Sequence, residues 1–359
     1  MVTFLFTLID LFISFLYLQV CPLWVAPNLL TFSGFLFTVF AFVLLSYYDY
    51  SFYASSDVDY PPIPSWVFAT VGICVFLAYI LDGIDGKQAR RTHTSGPLGE
   101  LFDHGLDSWT TVFIPTLLYS IFGRSAPSIP PYRMYYICWQ VFLNFYLSHW
   151  EKYNTGVLFL PWSYDFSMLA TTFFFLVTSF VGHRFWKITI FNILTLGKLM
   201  EIVFYLTTLL CNIPVALYNI YRSYKDKTGK MRSVVEANRP LVPLFLFFFM
   251  ALYWTHNSPT NIIERDPRIF FMMSGAIFSN ICSRLIVAQM SNARCDVFNF
   301  LLVPLSICIL LSMLIPVLEL FLLYVLFVIA NSVHIYYGAC VVNQMCDHFK
   351  IKCFKIPYK

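Results

Sequence analysis

The chain has 359 residues, of which 59% are hydrophobic and only 12% charged, against roughly 45–50% apolar and about 25% charged in soluble domains. With 39 Phe, 23 Tyr and 8 Trp besides, the soluble, disordered and fibrous classes are excluded, and an all-α polytopic membrane protein is implied. The net charge of +4 is too small to indicate a nucleic-acid partner. The ten Cys are scattered, most of them in apolar runs (Cys74, Cys138, Cys211, Cys308), where Cys acts as a small hydrophobe rather than a zinc ligand or disulfide partner.

In chain order, the apolar run Met1–Val20 comes first. It has no basic leader and carries Asp10, so residues 1–27 read as a membrane-embedded or interfacial helical segment rather than a cleaved signal. Its orientation is left open. Ten apolar windows follow, near 29–47, 66–86, 104–122, 134–152, 166–182, 191–220, 240–257, 268–290, 297–315 and 317–345. A spanning helix needs about 20 such residues. Breaker chemistry separates them at Pro61-Pro62-Ile63-Pro64, Pro127 to Pro131, Thr228-Gly229 and Pro259. No internal repeat or independent hydrophilic domain interrupts the pattern, so residues 1–359 form a single membrane domain.

Three segments are basic: Lys87/Arg90/Arg91, Arg222/Lys225/Lys227/Lys230/Arg232 and Lys350/Lys352/Lys355/Lys359. An even number of windows separates each from the next, so all three share one face, the cytosolic one by the positive-inside bias. The loop between the first two windows has Asp49, Asp57 and Asp59 and no Lys or Arg, as expected on the other side. The run Arg222–Arg232 reads chiefly as an anchor for anionic headgroups.

Residues 82–107 are anomalous in this apolar chain. Asp82 and Asp85 stand i,i+3 at the end of one window; Glu100, Asp103, His104 and Asp107 follow at i, i+3, i+4 and i+7 at the start of the next. Each set lies on one helix face, and a short loop lets the faces meet. Charged groups at membrane depth are costly and usually functional. Four carboxylates converge only if cations neutralise them, and oxygen ligation suits Mg²⁺ or Mn²⁺, which in pairs clamp a phosphate. Gly83, Gly86 and Gly99 clear space for close approach of helices and a phosphate, and Arg90 supplies a planar fork for phosphate oxygens.

The series Asp82-x2-Asp85-Gly86-x2-Ala89-Arg90-x8-Gly99-x3-Asp103-x3-Asp107 matches every fixed position of the CDP-alcohol phosphotransferase signature. Beyond it, Pro27-Asn28-Leu29-Leu30-Thr31, Pro97 to Ser108, and Ser148-His149-Trp150-Glu151-Lys152-Tyr153-Asn154-Thr155-Gly156 resemble the eukaryotic ethanolaminephosphotransferase branch of the selenoprotein I type. The resemblance runs from about Trp24 to Phe349. Two features depart from it: Met1–Val20 is unlike the polar N-terminus usual in the family, and no selenocysteine is present.

The resemblance implies transfer of a CMP-linked headgroup, from CDP-ethanolamine, to the hydroxyl of diacylglycerol or alkyl-acylglycerol, giving phosphatidylethanolamine and CMP. It implies two Mg²⁺ or Mn²⁺ ions on Asp82, Asp85, Asp103 and Asp107, catalytic roles for His104 and Glu100, and substrate contacts from Asn28, Arg90 and Gly86. A homodimer in the endoplasmic reticulum or Golgi membrane is implied as well, with the active site facing the cytosol. For the base, His104 is favoured over its rival Asp107. A carboxylate that ligates a cation is a weak base, whereas neutral imidazole titrates near the working pH, and Glu100 one turn back can orient the ring. His149, His183, His256, His334 and His348 lack such company and read as structural. Glu201, Asn280, Gln289 and Asn331 either line a cavity or bond between helices. Two alternatives stay open: a choline, dual choline/ethanolamine or inositol headgroup, and a transporter with an acidic cation site. The single acidic cluster, without a second copy, disfavours the transporter.

Overall fold

The computed structural model describes residues 21–55, 59–124, 128–159, 163–190 and 194–356; the Met1–Val20 helix, Asp57 and Pro127 of the sequence reading lie outside them. Ten helices of 13 or more residues fall on the ten apolar windows. They are α1 (Pro27–Tyr48), α2 (Ser65–Arg91), α3 (Pro97–Phe122), α4 (Pro131–Thr155), α5 (Ser163–Val181), α6 (Leu196–Asp226), α7 (Leu241–Asn257), α8 (Pro267–Met290), α9 (Leu302–Leu314) and α10 (Glu319–Phe349). Six of them, α1, α2, α5, α6, α8 and α10, contain segments long and apolar enough to cross a membrane. Helices α3 and α4 are as long but carry the polar and charged residues of the site, and α7 and α9 are shorter. The chain is an all-α, multi-pass membrane protein.

Helix limits follow local chemistry. Prolines open α1, α3, α4 and α8 at a position where the missing N–H costs nothing. Gly156, at φ 80°, ends α4 in the left-handed conformation that glycine adopts freely. Two windows began too early. Leu194–Thr195 pairs antiparallel with Thr189–Ile190, so α6 starts at Leu196. Asn299 turns the chain before α9, its Oδ1 accepting from Leu301 N at 2.9 Å while its Nδ2 donates to Asn280 Oδ1 at 2.8 Å.

Helix α8 is the axle, packed against α3, α4 and α10, while α1 packs on α2 and α3, and α2 on α5. Inside a bilayer close packing and polar links hold helices together, since lipid is as apolar as the core. Gly275 lets α8 approach α3 closely: a Cβ there would lie 2.4 Å from Val112 Cγ1 of α3. Glu201, buried on α6, pairs with Arg133 of α4 and accepts from Tyr205 at 3.0 Å. Asn331 bonds back to Phe327 O within its own helix. Neither Glu201 nor Asn331 lines the cavity described below.

The two ends of the bundle differ. At one lie the ends of α2, α4, α6, α8 and α10 with the first turns of α1 and α3, and the described residues of all three basic segments, Lys359 lying outside them. Arg232 stacks 3.9 Å over the Tyr153 ring and donates to Tyr153 O, and Lys230 N donates to Asn154 O. The opposite end is stitched. Buried Arg268 donates to Tyr50 O, Asp49 O and Ser46 Oγ at 2.7–2.9 Å. Tyr50 and Tyr324 both donate to Asp266 Oδ2 at 2.9 Å. Fully buried Glu319 accepts from Trp254 Nε1 at 2.8 Å and from Thr260. Burial raises the Asp49 carboxyl to about 6 despite nearby Arg268.

Candidate active site

Helix α2 runs on through Arg91 and α3 begins at Pro97, so the whole acidic stretch is helical except for the link at 92–96. Thr92 N and Thr94 N bond back to Gln88 O and Ala89 O, which turns the chain tightly between α2 and α3, and α1 packs on both helices. The spacing read from the sequence therefore becomes two facing carboxylate rows.

Asp82, Asp85 and Asp103 bring ligand oxygens within 4.8 Å of one another, and Asp103, His104 and Asp107 form a second such group. The chemistry of the set fits a hard divalent cation: clustered carboxylates, half-buried to buried, that repel one another unless a cation lies between them. His104 adjoins this cluster, its Nδ1 4.0 Å from Asp103 Oδ2.

A cavity of about 950 Å³ opens beside the cluster. Asp85, Glu100, Asp103 and His104 line it, as do the three expected substrate contacts Asn28, Gly86 and Arg90. Asp82 and Asp107 instead border a much smaller void deeper between α1, α2, α3 and α5. Gly86 is not a helix-packing contact. A Cβ there would meet only the Arg90 guanidinium, at 3.7 Å, so its bare backbone faces the cavity.

Several residues complete the site that sequence spacing did not point to. Thr31 of α1 donates to Asp85 Oδ2 at 2.5 Å. Tyr164 of α5 donates to Asp82 Oδ2 at 2.9 Å. Such outer bonds fix the direction in which a carboxylate offers its lone pairs. Gln88 Nε2 donates to Pro22 O and Val25 O, and Arg91 to Cys21 O, tying the turn before α1 to the end of α2.

Glu100 is engaged differently from the sequence reading: its carboxylate takes the ammonium of Lys152 from α4. His149, expected to stay apart, meets His104 edge-on with ring centroids 5.1 Å apart. Its Nδ1 lies 3.4 Å from Gln289 Oε1, and Gln289 Nε2 donates back to His149 O. A helix-period argument cannot see a contact made between α3 and α4, but Glu151 and Lys152 inside an apolar window were a signal that α4 approached something polar. Among the other histidines, His334 bonds to Ser279 Oγ at 3.0 Å and packs on Trp109, and His256 bonds to Tyr136 at 2.7 Å, both away from the cavity.

These features together describe a carboxylate cluster able to hold a divalent metal beside an open cavity, in a chain with membrane-spanning helices. The CDP-alcohol phosphatidyltransferase family matches residues 24–211. The chain is 46% identical to ethanolaminephosphotransferase 1 of Homo sapiens over 342 residues, 94% of this chain and 85% of that protein. It is 29% identical to choline/ethanolaminephosphotransferase 1 of Arabidopsis thaliana, across 96% of this chain and 90% of that protein. With cholinephosphotransferase 1 of Rattus norvegicus the identity is 30%, across 77% and 67%. The chain belongs to the CDP-alcohol phosphatidyltransferase family, an enzyme family that uses a divalent metal.

Proposed function

We propose that the chain transfers phosphoethanolamine from CDP-ethanolamine to the hydroxyl of diacylglycerol or alkyl-acylglycerol, giving phosphatidylethanolamine and CMP. The observation that carries the headgroup is the 46% identity to the human ethanolaminephosphotransferase, against 29–30% to the relatives named for choline. The signature residues, gathered around one cavity, support the reaction class.

In this reading Asp82, Asp85, Asp103 and Asp107 hold two divalent ions, Mg²⁺ or Mn²⁺. When bound, the ions supply charge neutralisation to the diphosphate and to the departing CMP. Arg90 and Asn28 orient the nucleotide, and Gly86 lets a phosphate lie against backbone. His104 accepts the proton of the lipid hydroxyl as its oxygen bonds to the β-phosphorus and the bond from that phosphorus to the bridging oxygen breaks. Glu100, held by Lys152, stands beside the ring as one half of an ion pair.

The same reading takes the chain as one membrane domain with ten crossings in the endoplasmic reticulum or Golgi membrane. The shared end of the three basic segments supports a cavity that faces the cytosol. A homodimer belongs to it on the family resemblance. The test is a purified-protein assay with diacylglycerol, Mg²⁺ and either CDP-ethanolamine or CDP-choline. Preference for CDP-ethanolamine by at least about tenfold in kcat/KM, or roughly 1.4 kcal/mol, is expected. Equal or reversed preference assigns a dual or choline enzyme, and absence of CMP release with either sends the reading back to a transporter.

A further inference from the structure

The family match ends at residue 211, yet part of the cavity wall comes from residues 349–356. Helix α10 stops at Phe349, where Lys350 takes a left-handed conformation at φ 56° and Ile351 N bonds back to Cys346 O at 3.0 Å. That cap reverses the chain and sends it across the mouth of the cavity. Two contacts hold it there. Asn28 Nδ2 donates to Cys353 O at 2.9 Å, and the Phe354 ring packs 5.9 Å from Phe32 and 5.5 Å from Phe102, centroid to centroid. The strap thus reaches α1 and α3, and it brings Lys352 and Lys355 into the lining of the cavity that Asp85 and Asp103 also line.

We propose that Lys352 and Lys355 are nucleotide-binding residues, cationic groups of the cavity lining that contact the diphosphate and cytidine moieties, and that Asn28 and Phe354 latch the strap that carries them. Charge carries the argument. The acids of the lining take a phosphate only through cations, so lysines in the same lining give the remaining phosphate oxygens direct partners. The strap also gives Asn28 a place in the site: its amide donates to the strap backbone and so joins α1 to the strap. The inference rests on the proposed CDP-alcohol substrate, and its test separates the two.

Affinity for CDP with Mg²⁺ is measured on the purified full-length protein, together with KM for CDP-ethanolamine and for diacylglycerol. The variants are Lys352→Gln/Lys355→Gln, Phe354→Ala, and the control Lys225→Gln/Lys227→Gln, which removes the same charge from the remote basic loop. The strap double variant is expected to weaken CDP binding at least about tenfold, with a shallower salt dependence and an unchanged KM for diacylglycerol. Phe354→Ala shifts CDP affinity in the same direction with both lysines present, and the control stays within about twofold of wild type. Wild-type affinity and salt dependence in the strap variants, or an equal loss in the control, overturn the assignment while leaving the reaction intact. Failure of the wild-type protein itself to bind CDP overturns the substrate reading and the strap together.

Discussion

The His104 and His149 rings meet edge to face, 5.1 Å between centroids, although 45 residues of sequence separate them. His149 is in turn clasped by Gln289 through both its ring and its carbonyl. With Nδ1–H donating to the amide oxygen, its tautomer is set by a partner on α8. The candidate base therefore rests on a ring that is itself fixed.

That relationship separates two mutants. His104→Ala is expected to lower turnover by at least about a hundredfold while CDP binding persists, because general-base help contributes typically about 10²–10⁴. His149→Phe keeps the aromatic packing but removes the nitrogens; turnover falls by roughly tenfold with CDP affinity unchanged. Asp107→Asn damages metal and nucleotide binding together. If His104→Ala turns over normally and Asp107→Asn loses only catalysis, the base is Asp107.

Asp85→Asn is expected to abolish transfer and flatten the response to Mg²⁺ while the protein still inserts. The side chain sits in the carboxylate group and is oriented by Thr31, so its loss removes charge where a diphosphate must be neutralised. Near-normal turnover at saturating Mg²⁺ counts against a metal role for this residue.

Tyr164→Phe leaves every acid in place and removes one hydrogen bond from Asp82. The Mg²⁺ concentration for half-maximal activity should rise about three- to tenfold, with little change in turnover at saturating metal. A titration that superimposes on wild type dismisses the tyrosine as a positioning residue.

Gly275→Ala puts a methyl where Val112 already stands, 2.4 Å from its Cγ1. Overpacking of this kind costs on the order of 1–3 kcal/mol. Thermal unfolding in detergent should show a clear loss, and the double variant Gly275→Ala/Val112→Ala should recover most of it. A single variant as stable as wild type means the two helices are free to separate.

Orientation is checked at Ser95, exposed in the link between α2 and α3. In sealed vesicles, a cysteine placed there in a background without other accessible thiols is expected to react with an impermeant maleimide from the cytosolic side. Reaction from the lumenal side alone reverses the topology.

The acidic rows were legible because a helix repeats locally: i,i+3 and i,i+4 spacing sets a shared face whatever surrounds it. The all-α membrane class was legible because apolar length is a property of each segment alone, and six of the described helices are long and apolar enough to cross. Thr31, Tyr164 and Lys152 were not, since each reaches the site across tens of residues of sequence and only packing decides which helix stands next to which. The starts of α6 and α9 were lost for a related reason. Backbone pairing at Thr189–Thr195 and the side chain of Asn299 outrank hydropathy there.

The stitched end has a consequence for the cell. A bilayer that contains a hydrophilic hollow is open to ion leakage if the hollow continues to the other side. Arg268 draws the backbone of Tyr50 and Asp49 inward, while Trp254 and Thr260 close over Glu319. These bonds pair the buried charges at the end of the bundle opposite the cavity. Charge at that surface is thus met by protein partners rather than by water drawn into the bundle.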